Sequence, residues 1–137
     1  MLWFVRKGEQ DLNKTLTIKI WERDFTLPIE YDCYEGEDIT EEQIEALKTF
    51  ASHKNWIEAS KGEVEAFCRD QVLEDEENQK KDNIFSYIKP DYIFVKRDEK
   101  NARVAIMCKY RYEPEHGLAI VFMADGEITV GIQDIIL

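Results

Sequence analysis

Residues 15 to 54 read TLTIKIWERDFTLPIEYDCYEGEDITEEQIEALKTFASHK, and within them the apolar repeat changes from every second residue to every third or fourth. Leu16, Ile18 and Ile20 alternate with Thr15, Thr17 and Lys19; Phe25, Leu27, Ile29 and Tyr31 alternate with Thr26, Pro28 and Glu30. A period of two puts one set of side chains on one side of a strand. Each segment therefore predicts a half-buried strand, with Trp21 to Asp24 as the turn between them. Pro28 has no N–H for a ladder, which places the second strand at a sheet edge or turns its missing donor away from the pairing side. From Ile39 onward the period is helical. Thr40 is a good N-cap, Gln43 completes a capping box and Ile39 can staple onto Ile44, so a helix is expected over Glu41 to Lys54. Its buried stripe is read as Ile44, Leu47, Phe50 and Ala51, with Glu41, Glu42, Glu45 and Lys48 largely outside it.

Working outward, Leu2 to Arg6 reads as a short leading strand. A second helix over Trp56 to Glu74 would bury Ile57, Val64, Phe67, Cys68 and Val72, with Gly62 weakening its middle by roughly 1 kcal/mol relative to alanine. Both helices are expected to cover one face of a sheet. Glu74 to Asn83 is a charged connector, and Ile84, Phe85, Tyr87 and Ile88 suggest a short docked turn after it. Tyr92 to Arg97 begins a second run of strands. Val104, Ile106, Cys108, Tyr110 and Tyr112 share one parity against Arg103, Lys109 and Arg111, a half-buried strand, while Leu118 to Met123 is apolar on both parities and reads as central. Asp125-Gly126 signals a two-residue hairpin before Ile128, Val130 and Ile132. Strands, then helices, then a meander of strands predict a single α+β domain over residues 1–137, mostly antiparallel, with the helix pair on one face.

At 137 residues the chain has the length of one domain, and 44% hydrophobic residues suffice for one core. A formal charge of -11 opposes a phosphate-gripping surface, so no direct nucleic-acid contact is expected. No apolar run reaches the roughly 18 residues of a membrane span, and the first residues lack a signal-peptide profile, so a cytoplasmic location is expected. Cys33, Cys68 and Cys108 are odd in number and widely spaced, which suits reduced thiols used in packing better than disulfides. With His53 and His116 they give no short-spaced zinc pair, so neither a metal nor another cofactor is expected.

Two features carry chemistry. Glu113-Pro114-Glu115-His116-Gly117 is first a turn, since Pro114 fixes φ and Gly117 permits a positive one. His116 with Glu115 or Asp134 could act as an acid–base pair, but the plainer reading is a turn residue held by hydrogen bonds. The second feature is the run Glu30, Asp32, Glu35, Glu37, Asp38, Glu41, Glu42 and Glu45, which contains no Lys or Arg. It lacks the order of a calcium-binding loop. A solvated face is one reading, and a docking face for a basic protein is the other. Net charge is -10 over residues 1–88 and -1 over residues 89–137, where Lys96, Arg97, Arg103, Lys109 and Arg111 are expected to pair with acids across strands.

Tyr112, Glu115-His116-Gly117, the apolar Leu118-Ala119-Ile120 and the closing Gly131-x-x-Asp134 resemble a bacterial domain family of uncharacterised function. Its members carry an aromatic-x-x-Glu-His-Gly turn and a terminal Gly-x-x-Asp, and Tyr112 stands where the family has tryptophan. The resemblance implies that His116 and Asp134 lie together and pin the loop to the chain end through a hydrogen bond. Proteins of this kind also look like immunity proteins of polymorphic toxin systems, including contact-dependent growth inhibition. That likeness implies a non-enzymatic inhibitor of a cognate basic toxin, docking through Glu30 to Glu45 with Tyr31 and Tyr34 as aromatic anchors. A small acid–base enzyme centred on Glu115 and His116, and a self-associating homo-oligomeric scaffold, are the alternatives.

Overall fold

The computed structural model describes residues 15–33, 36–71, 84–98 and 102–137. Strands β1 (Thr15–Ile20) and β2 (Arg23–Tyr31) form a hairpin, followed by helices α1 (Glu41–Ser52) and α2 (Asn55–Gln71). A 3-10 turn over Ile84–Tyr87 leads into β3 (Ile88–Lys96), β4 (Arg103–Tyr110), β5 (Leu118–Phe122) and β6 (Ile128–Gly131). These strands make one six-stranded sheet in the order β1-β2-β3-β4-β5-β6. All neighbours are antiparallel except β2 and β3, whose parallel pairing follows from the helical crossover between them. The expected α+β architecture is the one observed.

Pro28 is accommodated inside the sheet, not at its edge. The parallel pairing of β2 with β3 starts one residue later, at Ile29 opposite Ile93. Pro90 lies beside the irregularity in β3 between Pro90 and Tyr92, a place where a missing donor is tolerated.

One face of the sheet and both helices share the larger core. Leu27, Ile29, Ile93, Val95, Val104, Ile106, Cys108, Leu118, Ile120 and Phe122 meet Leu47, Phe50, Ile57, Val64 and Cys68 there. The opposite parity of β4 and β5 is buried as well: Ala105, Met107, Ala119 and Val121 pack with Ile136, Tyr92 and Phe94. The reading of β4 as half-buried is thus corrected. The Arg103 and Lys109 that flank this stretch mark only its ends, and the chain terminus covers the middle. Of the cations expected to pair with acids, Lys96 and Arg97 do so with Asp32 and Glu37, whereas between β3 and β4 Lys89 faces Lys109 and Lys96 faces Arg103.

Within α1 the fully buried positions are Gln43, Leu47 and Phe50, so a polar residue occupies the stripe beside the half-buried Ile44. The capping box of Thr40 and Gln43 is present. β5 and β6 are joined as expected, but the connection spans residues 123–127 and is longer than a two-residue turn. Met123 N donates to Glu127 O at 2.9 Å, and Gly126 has a φ of 92°. The expected strand Leu2 to Arg6, the buried Val72 and the connector Glu74 to Asn83 lie outside the described residues.

Candidate interaction surface

Because β2 and β3 run parallel, their carboxyl ends emerge together, and the start of α1 lies over them. Gln43 organises the place. Its Nε2 donates to Asp32 O at 3.0 Å and Val95 O at 3.1 Å, one carbonyl at the end of each parallel strand. Its Oε1 accepts from Thr40 N at 3.0 Å, while Gln43 N donates to Thr40 Oγ1 at 3.1 Å. A side chain with no exposed surface therefore has both ends of its amide satisfied, the condition under which a buried amide is tolerated.

The acidic run that contains no cation of its own receives two from β3 and the residue after it. Lys96 Nζ is 3.4 Å from Asp32 Oδ2, which also accepts from Arg97 N at 3.1 Å. Arg97 Nη1 donates to Asp38 O at 3.0 Å, and Arg97 Nη2 is 3.7 Å from Glu37 Oε2. Burial pushes the Cys33 thiol up from its ordinary value, and the neighbouring Arg97 guanidinium partly opposes it. Asp32 and Glu37 are thus partly neutralised inside the molecule.

The remaining carboxylates behave differently. Glu30, Glu41, Glu42 and Glu45 are exposed, and none forms an ion pair with a described residue. Glu41 and Glu42 occupy the first turn of α1, where the helix dipole favours them. Glu30 stands on β2 on the sheet face away from the helices, opposite Phe94, and with Asp91 it adds to the burial that raises the Tyr92 phenol. Tyr31 is half-buried against the core and not a free anchor, while Tyr34 and Glu35 lie outside the described residues.

The Glu-His-Gly turn occupies a separate site. The side chains of Glu115, His116 and Asp134 are all exposed. The loop is pinned to the chain end, but Gln133 does this and not an Asp134–His116 bond: Gln133 N donates to His116 O at 3.0 Å and Gln133 Nε2 to Cys108 O at 3.1 Å. Gly117 has a φ of 59°, and a Cβ there would meet Cys108 O and Gln133 Nε2 at 2.6 Å each. The glycine is thus required by the same contact that anchors the loop. Tyr112 packs edge-on to Tyr87 and Tyr110, with ring centroids 5.5 Å and 5.6 Å apart, holding the approach to the turn.

Cys68 and Cys108 are buried, and burial raises both thiols, so neither is disposed to ionise. Among the described residues no group of three or more His, Cys, Asp or Glu gathers as a metal would need, and no helix is long and apolar enough to cross a membrane. Gln43, Arg97 and Gln133 were missed as site residues. Gln43 had a visible signal in its capping-box position, but its bonds to Asp32 and Val95 had none.

A family model described as a domain of unknown function (DUF6985) matches residues 4–137. No curated protein and no solved structure matches the chain.

Proposed function

The chain belongs to the DUF6985 family of unknown function, and from that premise we propose that it is an immunity-type protein, acting in the cytoplasm of a bacterial cell, that binds and neutralises a cognate basic toxin domain. The observation that carries this reading is the division among the carboxylates. Asp32 and Glu37 have cations of their own in Lys96 and Arg97, whereas Glu30, Glu41, Glu42 and Glu45 are exposed without one among the described residues. Exposed like charges repel one another, which offsets what the helix dipole returns to Glu41 and Glu42. They raise the encounter rate with a cationic partner, for which they substitute for phosphates, and such a surface can occlude a nuclease-like active site. The docking face is accordingly narrower than the whole acidic run and centres on Glu41, Glu42 and Glu45 in the first turns of α1, Glu30 lying on the opposite face of the sheet.

The test takes as partner a basic toxin-like domain sought in the reading frame upstream, and its absence there counts against the reading. Reversing Glu41, Glu42 and Glu45 to Lys should lower its association rate at low salt by about tenfold or more and weaken cellular protection, since steered association depends on such charges. An unchanged rate and full protection would refute the docking face.

A further inference from the structure

At the far end of α1 a second surface stands apart from the acidic one, separated from it by the helix length of roughly 15 Å. It is built around the outer side of β1, with which no described strand pairs. The hairpin turn determines what that edge displays. Trp21 and Glu22 have φ values of 49° and 74°, so β1 and β2 are joined by a two-residue turn with both central residues left-handed. The rung flanking such a turn, Ile20 with Arg23, is the hydrogen-bonded kind, and rungs alternate from there. Thr17 with Thr26 and Lys19 with Asp24 are then rungs without mutual backbone bonds, so the N–H and C=O groups of Thr17 and Lys19 point outward. The 2.9 Å contact between the Thr17 and Thr26 hydroxyls agrees, because side chains approach closest on such rungs.

Beside this edge lies a cavity of about 380 Å³. Thr17, Ile18 and Lys19 line one side of it; three consecutive residues can do so only if the strand presents its edge. Phe50, Ala51 and Ile57 supply an apolar wall, with Lys54 and Glu58 across from Lys19 and Asp24. None of these four charged side chains forms an ion pair with a described residue.

We propose that this edge is a docking site for an extended peptide segment of another protein, which adds a strand along Thr17 and Lys19 and seats one apolar side chain in the cavity. Outward main-chain donors and acceptors two residues apart match a second strand, and a compact small molecule would leave them unmet. These charges, which have no ion pair among the described residues, fit a segment whose apolar residue is flanked by residues of both signs, acidic toward Lys19 and Lys54 and basic toward Asp24 and Glu58.

A displayed library of random heptapeptides, selected on the full chain, tests this. Enriched sequences should share an apolar residue with charged neighbours. The capped consensus peptide should bind in calorimetry and protect the Thr17 and Lys19 amides from hydrogen exchange. Lys19→Pro removes an outward donor while leaving the bonds to β2, and Ala51→Trp fills the cavity; each should weaken binding by roughly tenfold, the equivalent of one lost contact. The amide protection is read on the unmodified protein, so it stands even if a variant misfolds. No enrichment, protection elsewhere, binding indifferent to both folded variants, or self-association through β1 in place of peptide binding would each overturn the proposal.

Discussion

Replacing Gln43 by Leu tests how the acidic end of the molecule is held. Leucine is close in size and suits a helix, so packing within α1 is largely kept and the change isolates the amide. Four bonds within 3.3 Å are lost: to Asp32 O, to Val95 O, and from Thr40 N and Thr40 Oγ1. Their consequences differ. Val95 O retains Asp32 N as a donor at 2.9 Å, and the Thr40 hydroxyl still accepts from the residue-43 backbone. Asp32 O and Thr40 N lose the partners described for them. An unsatisfied buried backbone group costs about 1–3 kcal/mol, so two partly buried ones give a destabilisation of about 3 kcal/mol. For a domain of this length that corresponds to a fall in Tm of roughly 10 °C. Urea unfolding followed by circular dichroism should show the midpoint fall at unchanged slope. Gln43→Glu distinguishes bonding from packing. Ionised, it keeps an acceptor for Thr40 but faces two carbonyls; protonated, it can donate to one, so its deficit should shrink as pH falls. A Gln43→Leu protein within 1 kcal/mol of the parent would refute the role assigned to this residue.

The other expectations concern single positions. Tyr110 is 3% exposed and its hydroxyl has no well-formed hydrogen bond among the described residues, only the weakly accepting Cys68 thiol beside it, so Tyr110→Phe should be neutral or stabilising by about 1 kcal/mol in a urea titration, where an ordinary buried hydroxyl would cost stability when removed. Burial, with the Cys68 thiol beside it, raises the Tyr110 phenol above its unfolded value. Its contribution is therefore complete below about pH 10 and is lost as pH rises toward the folded value. Tyr110→Phe should accordingly flatten the alkaline loss of stability measured between pH 8 and 11. Gly62 lies in α2 with open space around it, and Gly62→Ala should raise stability by about 0.5–1 kcal/mol in thermal unfolding. Gly117→Ala should do the reverse by about 2 kcal/mol or more, because a left-handed backbone and the immovable Cys108 carbonyl oppose the added carbon.

How much of the molecule was legible beforehand follows the range of each interaction. The alternation from Thr15 to Tyr31, the Thr40 cap and the apolar run Leu118 to Phe122 are local patterns, and each marked its element to within a few residues. The second core escaped because Ala105 and Met107 lie among residues of a strand read as solvated on that side, and their cover includes Ile136 from the chain terminus. The Glu-His-Gly motif marked the right loop but the wrong anchor. His116 and Asp134 carry the conspicuous chemistry, yet the unremarkable Gln133 makes the bonds.

The sequence by itself determined an acidic α+β domain, its helix starts and the place of its turns but not their length, and the run of carboxylates between Glu30 and Glu45, because period, capping and charge count depend on neighbours a few residues away. Only the tertiary structure decided which of those carboxylates pair with a described cation. Arg97 reaches Asp32 across 65 positions and Gln43 reaches Val95 across 52, through the parallel register of β2 and β3. The crossover that sets this register also carries Lys96 and Arg97 into the acidic loop. A charge tally along the chain overstates the acidity left to a partner, since ion pairs form between groups close in space whatever their separation in sequence.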